Sequence, residues 1–485
     1  MKKIISVGKF IGCFVVVVIY GYSCQTNKKP IDLLIQNITI IDVVHNTTIP
    51  NRYIAIHQDR ILAVGGSEIL DSYRSDSRFD GDSQFIMPGL WDNHIHFGGA
   101  DYVDENEQLL PLYLALGVTT VRDAAGDISE SVLQWRNEIE NGKRNGPRIF
   151  TSGPKIEGIG SIWPGDLEVG SPEELQKAFD SLDQLNVDFI KITDNTLSPE
   201  LFLEAVKEAV KRGYPVSGHL PATLSLKELS EAKLTTIEHL GYALKGVSPN
   251  EAEILEALKK KEINNAEATR MRIESFDKNT ALEHFGQLAS NDTRIVPTLS
   301  ISKTIAYLDK DTHEDDEFLK YLGPKLKASY QWRVERAAKD SPEEIVLRHH
   351  RFEQTASLLP LLVASGVKII AGTDAGYLNS YDYPGLAIHL ELQTMVDYGL
   401  SPQQALLASI WNGPDYFGLL HDYGSVENGK IADLLILRGN PLKTIRETQN
   451  IEAVIRKGNL MDRTYLDSAL KNIEDWVQQK EATSH

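Results

Sequence analysis

The chain has 485 residues, 42% of them hydrophobic, enough to bury one large domain, or a large and a small one. Acidic residues outnumber basic ones, 68 against 50, for a net charge of −18. That balance argues against a nucleic-acid partner, which needs a basic stripe to grip phosphates, and leaves a small-molecule substrate open.

The first elements read as an export signal. Lys2, Lys3 and Lys9 precede an apolar run from Phe10 to Tyr20, too short for a comfortable membrane span but suited to a signal-peptide core. Ser23 and Cys24 follow and resemble a bacterial lipoprotein cleavage site, although Gly21 stands where such sites usually carry Leu. The expectation is a signal peptide over 1–23 and lipid attachment at Cys24. The protein would then be exported to a bacterial cell envelope, anchored through its lipid and facing the periplasm or the cell surface. A plain signal peptide or an uncleaved anchor is the alternative. The only other cysteine, Cys13, lies inside the apolar run, so the processed chain would form no internal disulfide.

Residues 30–86 read as short strands, with β-branched alternation in IDLLIQNITIIDV and RYIAIHQDRILAVGG. From 87 to 420, apolar strands ending in polar residues alternate with helical segments. The strands are IMPGLWDNHIHF, GVTTVRDAAG, PRIFTSG, VDFIKITDN, YPVSGHLP, LTTIEHLGY, RIVPTLS and VKIIAGTDAG. Helix starts are marked by Ser-Pro-acid/amide boxes at Ser171, Ser341 and Ser401, and by Ser225 with Glu228. Eight such units predict an α/β fold, a (β/α)8 TIM barrel with its active site at the C-terminal ends of the strands. The stretches 246–292 and 303–357 are long, charged and helical, and read as elaborated connections around the sixth and seventh barrel helices. Residues 421–462 return to strand patterns (IADLLIL, IEAVI), and 463–485 read as a C-terminal helix and tail.

Several strand ends carry chemistry. His94 and His96, two apart on one strand, point to the same face and can share an ion, though such pairs are also common on surfaces. Lys191 stands within the apolar strand VDFIKITDN. Burial would strip its proton, and a neutral amine can take up carbon dioxide as an anionic carbamate that bridges two cations. Alternatively it snorkels to water or pairs with Asp194. His219, His239 and Asp374 end three further strands at the same rim.

These motifs, PGLWDNHIHF, GVTTVRDAAG, FIKITDN, SGHLP, IEHL, AGTDAG and the terminal GSVENGKIADLLIL, resemble the metal-dependent amidohydrolase superfamily. The nearest branch is the imidazolonepropionase-related, prolidase-like one. The resemblance implies a barrel with a small composite β-sandwich built from the N- and C-terminal segments. It implies two divalent ions, taken as Zn2+, with His94, His96 and Asp374 on the deeper one and His219 and His239 on the more exposed one. Lys191, as the carbamate formed with carbon dioxide, would bridge them. Ala222 stands where single-metal deaminases of the superfamily often carry Glu, which favours the two-metal branch. Trp411-Asn412-Gly413-Pro414 departs from the usual pattern only in the scaffold.

The expected reaction is hydrolysis of an amide or dipeptide-like C–N bond by a metal-bridging hydroxide, with Asp374 as proton shuttle. A cyclic amide, lactone or ester hydrolase, and a surface binding lipoprotein without catalysis, stand as alternatives. Tyr242 is a candidate oxyanion donor or a structural tyrosine. Arg122 is a candidate clamp for a substrate carboxylate or a partner of Asp123. Trp163 and Tyr377 are candidates for the pocket wall. His284, His313, His349, His350 and His389 read as surface or packing residues.

Overall fold

A computed structural model describes residues 28–124 and 126–483. The expected signal segment and Cys24 lie outside the described residues. Eight parallel segments form the barrel: Leu90–His96 (β1), Val118–Asp123 (β2), Arg148–Thr151 (β3), Ile190–Ile192 (β4), Val216–Gly218 (β5), Thr236–Glu238 (β6), Arg294–Val296 (β7) and 369–376 (β8). One arc of the sheet runs β3-β2-β1-β8 and the other β4-β5-β6-β7. Two seams join them. The Asp188 N–H donates to the Thr151 carbonyl, and Ile369 bridges Ile295 in parallel. The ring is therefore the expected TIM barrel.

Two glycines let β8 reach the others. A Cβ on Gly372 would lie 2.8 Å from the His94 backbone nitrogen, and one on Gly376 would lie 2.2 Å from the His96 carbonyl oxygen. Any side chain there would push β8 off β1, which is why the AGTDAG run is glycine-flanked.

The terminal segments interleave in one sheet. Its strand order is Asn459–Asp462, Ile451–Arg456, Leu434–Leu437, Phe85–Pro88, Leu33–Asp42, Thr47–His57 and Arg60–Gly65. Period-2 alternation divides the labour of the middle strands. Leu434, Ile436 and Ile86 enter the small domain's own core, whereas Leu435, Leu437 and Met87 enter the barrel's core. Pairing of Leu434 with Pro88 and Leu435 with Met87 fastens the chain's end to the barrel's entrance.

The helix signals operate as side-chain caps. Ser225, Ser341 and Ser401 each complete a reciprocal box with the residue three positions on. At Ser171 the box is only half made, because Glu174 turns its carboxylate to the Gly170 N–H instead. The stretch 246–292 forms three helices, Glu251–Lys259, Asn265–Glu274 and Lys278–Ser290. The stretch 303–357 carries Pro324–Ser329, Gln331–Ala337 and Pro342–Ala356 over the C-terminal rim. The helix Arg463–Thr483 packs Leu466, Ile473 and Val477 inward. Among the described residues no helix is long and apolar enough to cross a membrane.

Candidate active site and metal centre

His94 and His96 leave β1 on one face, their rings stacked with centroids 5.4 Å apart. Both reach Asp374 from the end of β8. His94 Nε2 lies 3.1 Å and His96 Nε2 2.7 Å from Asp374 Oδ1. His239 closes from β6, its ring centroid 5.1 Å from that of His94. His219, at the end of β5, brings Nε2 to 3.0 Å from His239 Nε2. The ligand atoms of His94, His239 and Asp374 lie within 4.8 Å of one another and define a candidate metal site.

Second partners fix the ring orientations. His94 Nδ1 meets Glu238 Oε2 at 2.5 Å, and His239 Nδ1 meets Thr298 Oγ1 at 2.8 Å. Each contact turns the ring's Nε2 toward the centre, the arrangement by which outer groups orient metal-binding imidazoles. The backbone is unusual at the same places. Asp374, His239 and Thr298 have φ of +74°, +70° and +48°, a region non-glycine residues seldom occupy. Such strain persists only where surrounding contacts hold it. At Asp374 those contacts are its N–H to the His94 carbonyl and its own carbonyl, which accepts from Asn379 Nδ2.

Electrostatics keep the donors ready for a cation. Burial pushes His219 well below its ordinary value and His239 down to about 3, so both are neutral. Burial, outweighing Asp374, also lowers His96. His94 differs. Burial and Lys191 push it down, but Glu238 and Asp374 more than offset them and raise it. Burial would raise Asp374, yet His96 and His239 hold it well below the usual carboxylate range.

Lys191 is buried, and among the described residues its Nζ has no hydrogen-bond partner. It neither snorkels nor pairs with Asp194, whose Oδ1 accepts from the Tyr242 hydroxyl at 3.5 Å. Burial lowers its pKa to about 8, aided by Arg122 and opposed by Glu238 and Asp374. His94 Nε2 is likewise buried and, although 3.1 Å from Asp374 Oδ1, makes no well-directed hydrogen bond among the described residues. Orphaned donors of this kind are costly in a protein interior unless a bound group satisfies them. Imidazoles, three of them held neutral by burial, an ionised carboxylate and an amine whose proton is loosened are a donor set that fits divalent cations.

The cavity above these groups is lined by His96, Lys191, His219, Trp163, Tyr377 and Arg333, among others. Trp163 and Tyr377, the candidates for the pocket wall, line this cavity. Two sequence expectations do not hold. Arg122 is only 1% exposed and lies inside the barrel, below the cavity. Its Nη2 donates to both oxygens of Glu238 at 2.8 Å, and its guanidinium packs between Phe189 and Tyr416. It cannot clamp a substrate, because β2 turns it inward one layer too low, and its carboxylate partner is Glu238 rather than Asp123. Tyr242 is displaced too. Its ring lies 6.2 Å from that of His219, but its hydroxyl turns to Asp194 and it lines a neighbouring cavity, so it is no oxyanion donor in this geometry.

Other residues emerge only in three dimensions. Glu238 accepts from Arg122, Ser217 and Thr236, and meets His94. A carboxylate one residue before His239, on the same strand face as Thr236, was the available signal. Arg333, from the helix Gln331–Ala337, donates to the Leu378 carbonyl at 3.0 Å and to Asn379 Oδ1 at 2.5 Å. It thereby ties the insertion to the turn that holds Asp374. Lys155 forms ion pairs with Asp127 and Asp166, both at 3.1 Å, under Trp163. Trp163 in turn meets Trp332 edge-on at 6.0 Å, so the two long loops touch across the cavity's mouth. His284, His313, His349 and His389 bond to local carbonyl, carboxylate or hydroxyl groups away from the cavity.

Comparison with known proteins identifies the family and the fold. The amidohydrolase family matches residues 85–461. The chain belongs to that family, a class of hydrolases acting on carbon–nitrogen bonds. An ochratoxinase of Aspergillus niger is 26% identical over 455 residues, spanning 82% of this chain and 79% of the relative. Among solved structures, a bottromycin amidohydrolase superimposes with a TM-score of 0.71 at 21% identity, covering 92% of this chain and 90% of that one. A Xaa-Pro dipeptidase with methionine bound in its active site gives a TM-score of 0.64 at 22% identity, covering 89% and 99%.

Proposed function

We propose that the protein hydrolyses an amide or dipeptide-like C–N bond in a small substrate at a centre of two divalent ions, zinc being the first choice. His94, His96 and Asp374 would hold one ion, His219 and His239 the other, and Lys191, carboxylated on Nζ, would bridge them. The observation that carries this reading is Lys191: a buried amine without a hydrogen-bond partner among the described residues, lining one cavity with His96, His219, His239 and Asp374. When bound, the ions supply Lewis acidity and an acidified water. The chain's own residues do the rest. Asp374, held ionised, can accept a proton and return it to the leaving nitrogen. Glu238 and Thr298 hold two imidazoles with Nε2 inward. Trp163 and Tyr377 wall the substrate against water. The dipeptidase and ochratoxinase among the similar proteins support an amide substrate over an ester or lactone.

The test is metal analysis and turnover of protein purified with bicarbonate, against a panel of dipeptides and N-acyl amino acids. About two ions per chain, a carbamate carbon signal after 13C-bicarbonate labelling, and loss of turnover in Lys191→Ala are expected. Fewer than about one ion per chain, or unchanged turnover in that variant, would refute the centre. We further propose that Cys24 anchors the chain by lipid, on the strength of the N-terminal sequence alone. Uptake of labelled lipid by Cys24→Ala would overturn that assignment.

A further inference from the structure

Beside β8, outside the metal centre, four buried oxygens have no hydrogen-bond partner among the described residues. They are Asp382 Oδ1, Glu391 Oε1 and the hydroxyls of Tyr113 and Tyr330. None of the four residues is more than 1% exposed. They come from separate elements. Tyr113 stands on the helix Val103–Ala115 and Tyr330 between the helices Pro324–Ser329 and Gln331–Ala337. Asp382 lies on the turn after β8, and Glu391 on the helix Ala387–Asp397.

Ser300 stands between the two acids. Its N–H donates to Glu391 Oε2 at 2.7 Å and its hydroxyl to Asp382 Oδ2 at 3.3 Å. One oxygen of each carboxyl is thus bound and the other is left over. The phenols face the same place. The charge that weighs most on the Tyr330 hydroxyl is that of Asp382, and Tyr113 lies in the fields of Asp92, Tyr330 and Asp382. Asp92 itself is satisfied, because Thr373 donates to it through N–H and hydroxyl at 3.1 and 2.8 Å. The charges that act most on Asp382 are those of Glu391, Asp92 and Asp374, all acids. A proton shared by Asp382 and Glu391 would serve two of the four oxygens and leave both phenols unserved. A cation reached by all four serves every one.

We infer that Asp382 and Glu391 hold a hard divalent cation of the calcium class, with Tyr113 and Tyr330 completing its shell directly or through water. An all-oxygen set with two carboxylates suits such an ion, in contrast to the nitrogen-rich centre around Lys191. Its role is structural. The Asp382 N–H donates to the Asn379 carbonyl at 3.2 Å, and the Asn379 side chain holds the carbonyl of Asp374. The same turn carries Leu378 and Tyr381 at φ of +63° and +59°. An ion bound here fastens a strained turn to the helices around it. The inference does not depend on the hydrolytic reading.

The test uses the intact chain with zinc present and terbium(III) as the calcium probe, because phenols close to that ion sensitise its emission. Emission excited through tyrosine should saturate at about one ion per chain and be displaced by Ca2+, but not by added Zn2+ or by K+ at equal ionic strength. Asp382→Asn and Glu391→Gln should each weaken Ca2+ binding by about tenfold or more, with zinc content and circular dichroism unchanged. Tyr330→Phe should dim the emission. Ca2+ should raise the Tm of the parent protein and not that of the two amide variants. No saturable binding, equal affinity in the amide variants, or displacement by Zn2+ or K+ would overturn the site. A higher Tm in both amide variants, with no effect of Ca2+ on the parent, would assign the carboxyls a shared proton instead and overturn it too. If neither amide variant folds, the parent and Tyr330→Phe decide: emission that is absent, or unaltered by loss of that phenol, overturns the site.

Discussion

Two layers of the barrel interior, one above the other, treat buried charge in opposite ways. In the lower layer, Glu238 accepts from Arg122, Ser217 and Thr236 and meets His94, while Arg122 lies between two aromatic rings. In the upper layer, among the described residues, Lys191 Nζ has no hydrogen-bond partner and His94 Nε2 no well-directed one, and two histidine nitrogens face each other at 3.0 Å. Burial is alike in both, so burial alone does not mark a functional site. The difference is that the lower carboxylate is satisfied by protein, and the upper donors are arranged for something that is not protein. Glu238 belongs to both layers, which makes the lower one the support that aims the upper one.

That contrast can be broken at either layer. The largest expected effect is on the lower: Arg122→Met should cost about 3–5 kcal/mol in unfolding free energy, because it leaves Glu238 charged and unpaired inside the barrel. Denaturant unfolding of the metal-free protein measures this, and a loss below about 1 kcal/mol would show that water or local rearrangement compensates.

The next effect is on the upper layer and depends on pH. The folded pKa of Lys191 is lowered to about 8 from 10.5. Between these values the unfolded chain keeps a proton that the folded chain has released. Stability therefore rises with pH through this window, and below about pH 8 the cost of the buried ammonium is fully present. For the metal-chelated protein this group contributes on the order of 3 kcal/mol between pH 8 and 10.5. The rise should be missing from Lys191→Met. Parallel stability curves for the two proteins would mean that the amine is not desolvated as described.

The smallest effect sharpens the link between orientation and metal. Thr298→Ala removes the partner of His239 Nδ1 and should weaken metal affinity by about ten- to a hundred-fold, whereas Thr298→Ser should keep most of it. Competition with a fluorescent chelator gives the affinity. If Ala and Ser bind metal alike, the hydroxyl has no orienting role.

How much of this was legible beforehand follows from how far each signal reaches. The eight strands, the caps at Ser225, Ser341 and Ser401, and the rim positions of His94, His96, Lys191, His219, His239 and Asp374 were readable, because each depends on a local period or a spacing of three. The half-made box at Ser171 was not, since Glu174 had a second backbone N–H within reach. For Arg122 the choice between cavity and interior was not readable either, for a related reason. A residue near a strand's end faces either the cavity or the layer below it, and strand stagger around the barrel decides which.

The sequence by itself therefore determined which residue types arrive at the barrel's rim and on which face of each strand, because alternation is set within a few residues. Only the tertiary structure decided their partners. It set Glu238 beneath His94, although they are 144 positions apart, and it tied Arg333 of the long insertion to Leu378 and Asn379 in the turn after Asp374. Such pairings depend on the height of each side chain along the barrel axis and on where the long insertions settle, quantities that no local pattern encodes.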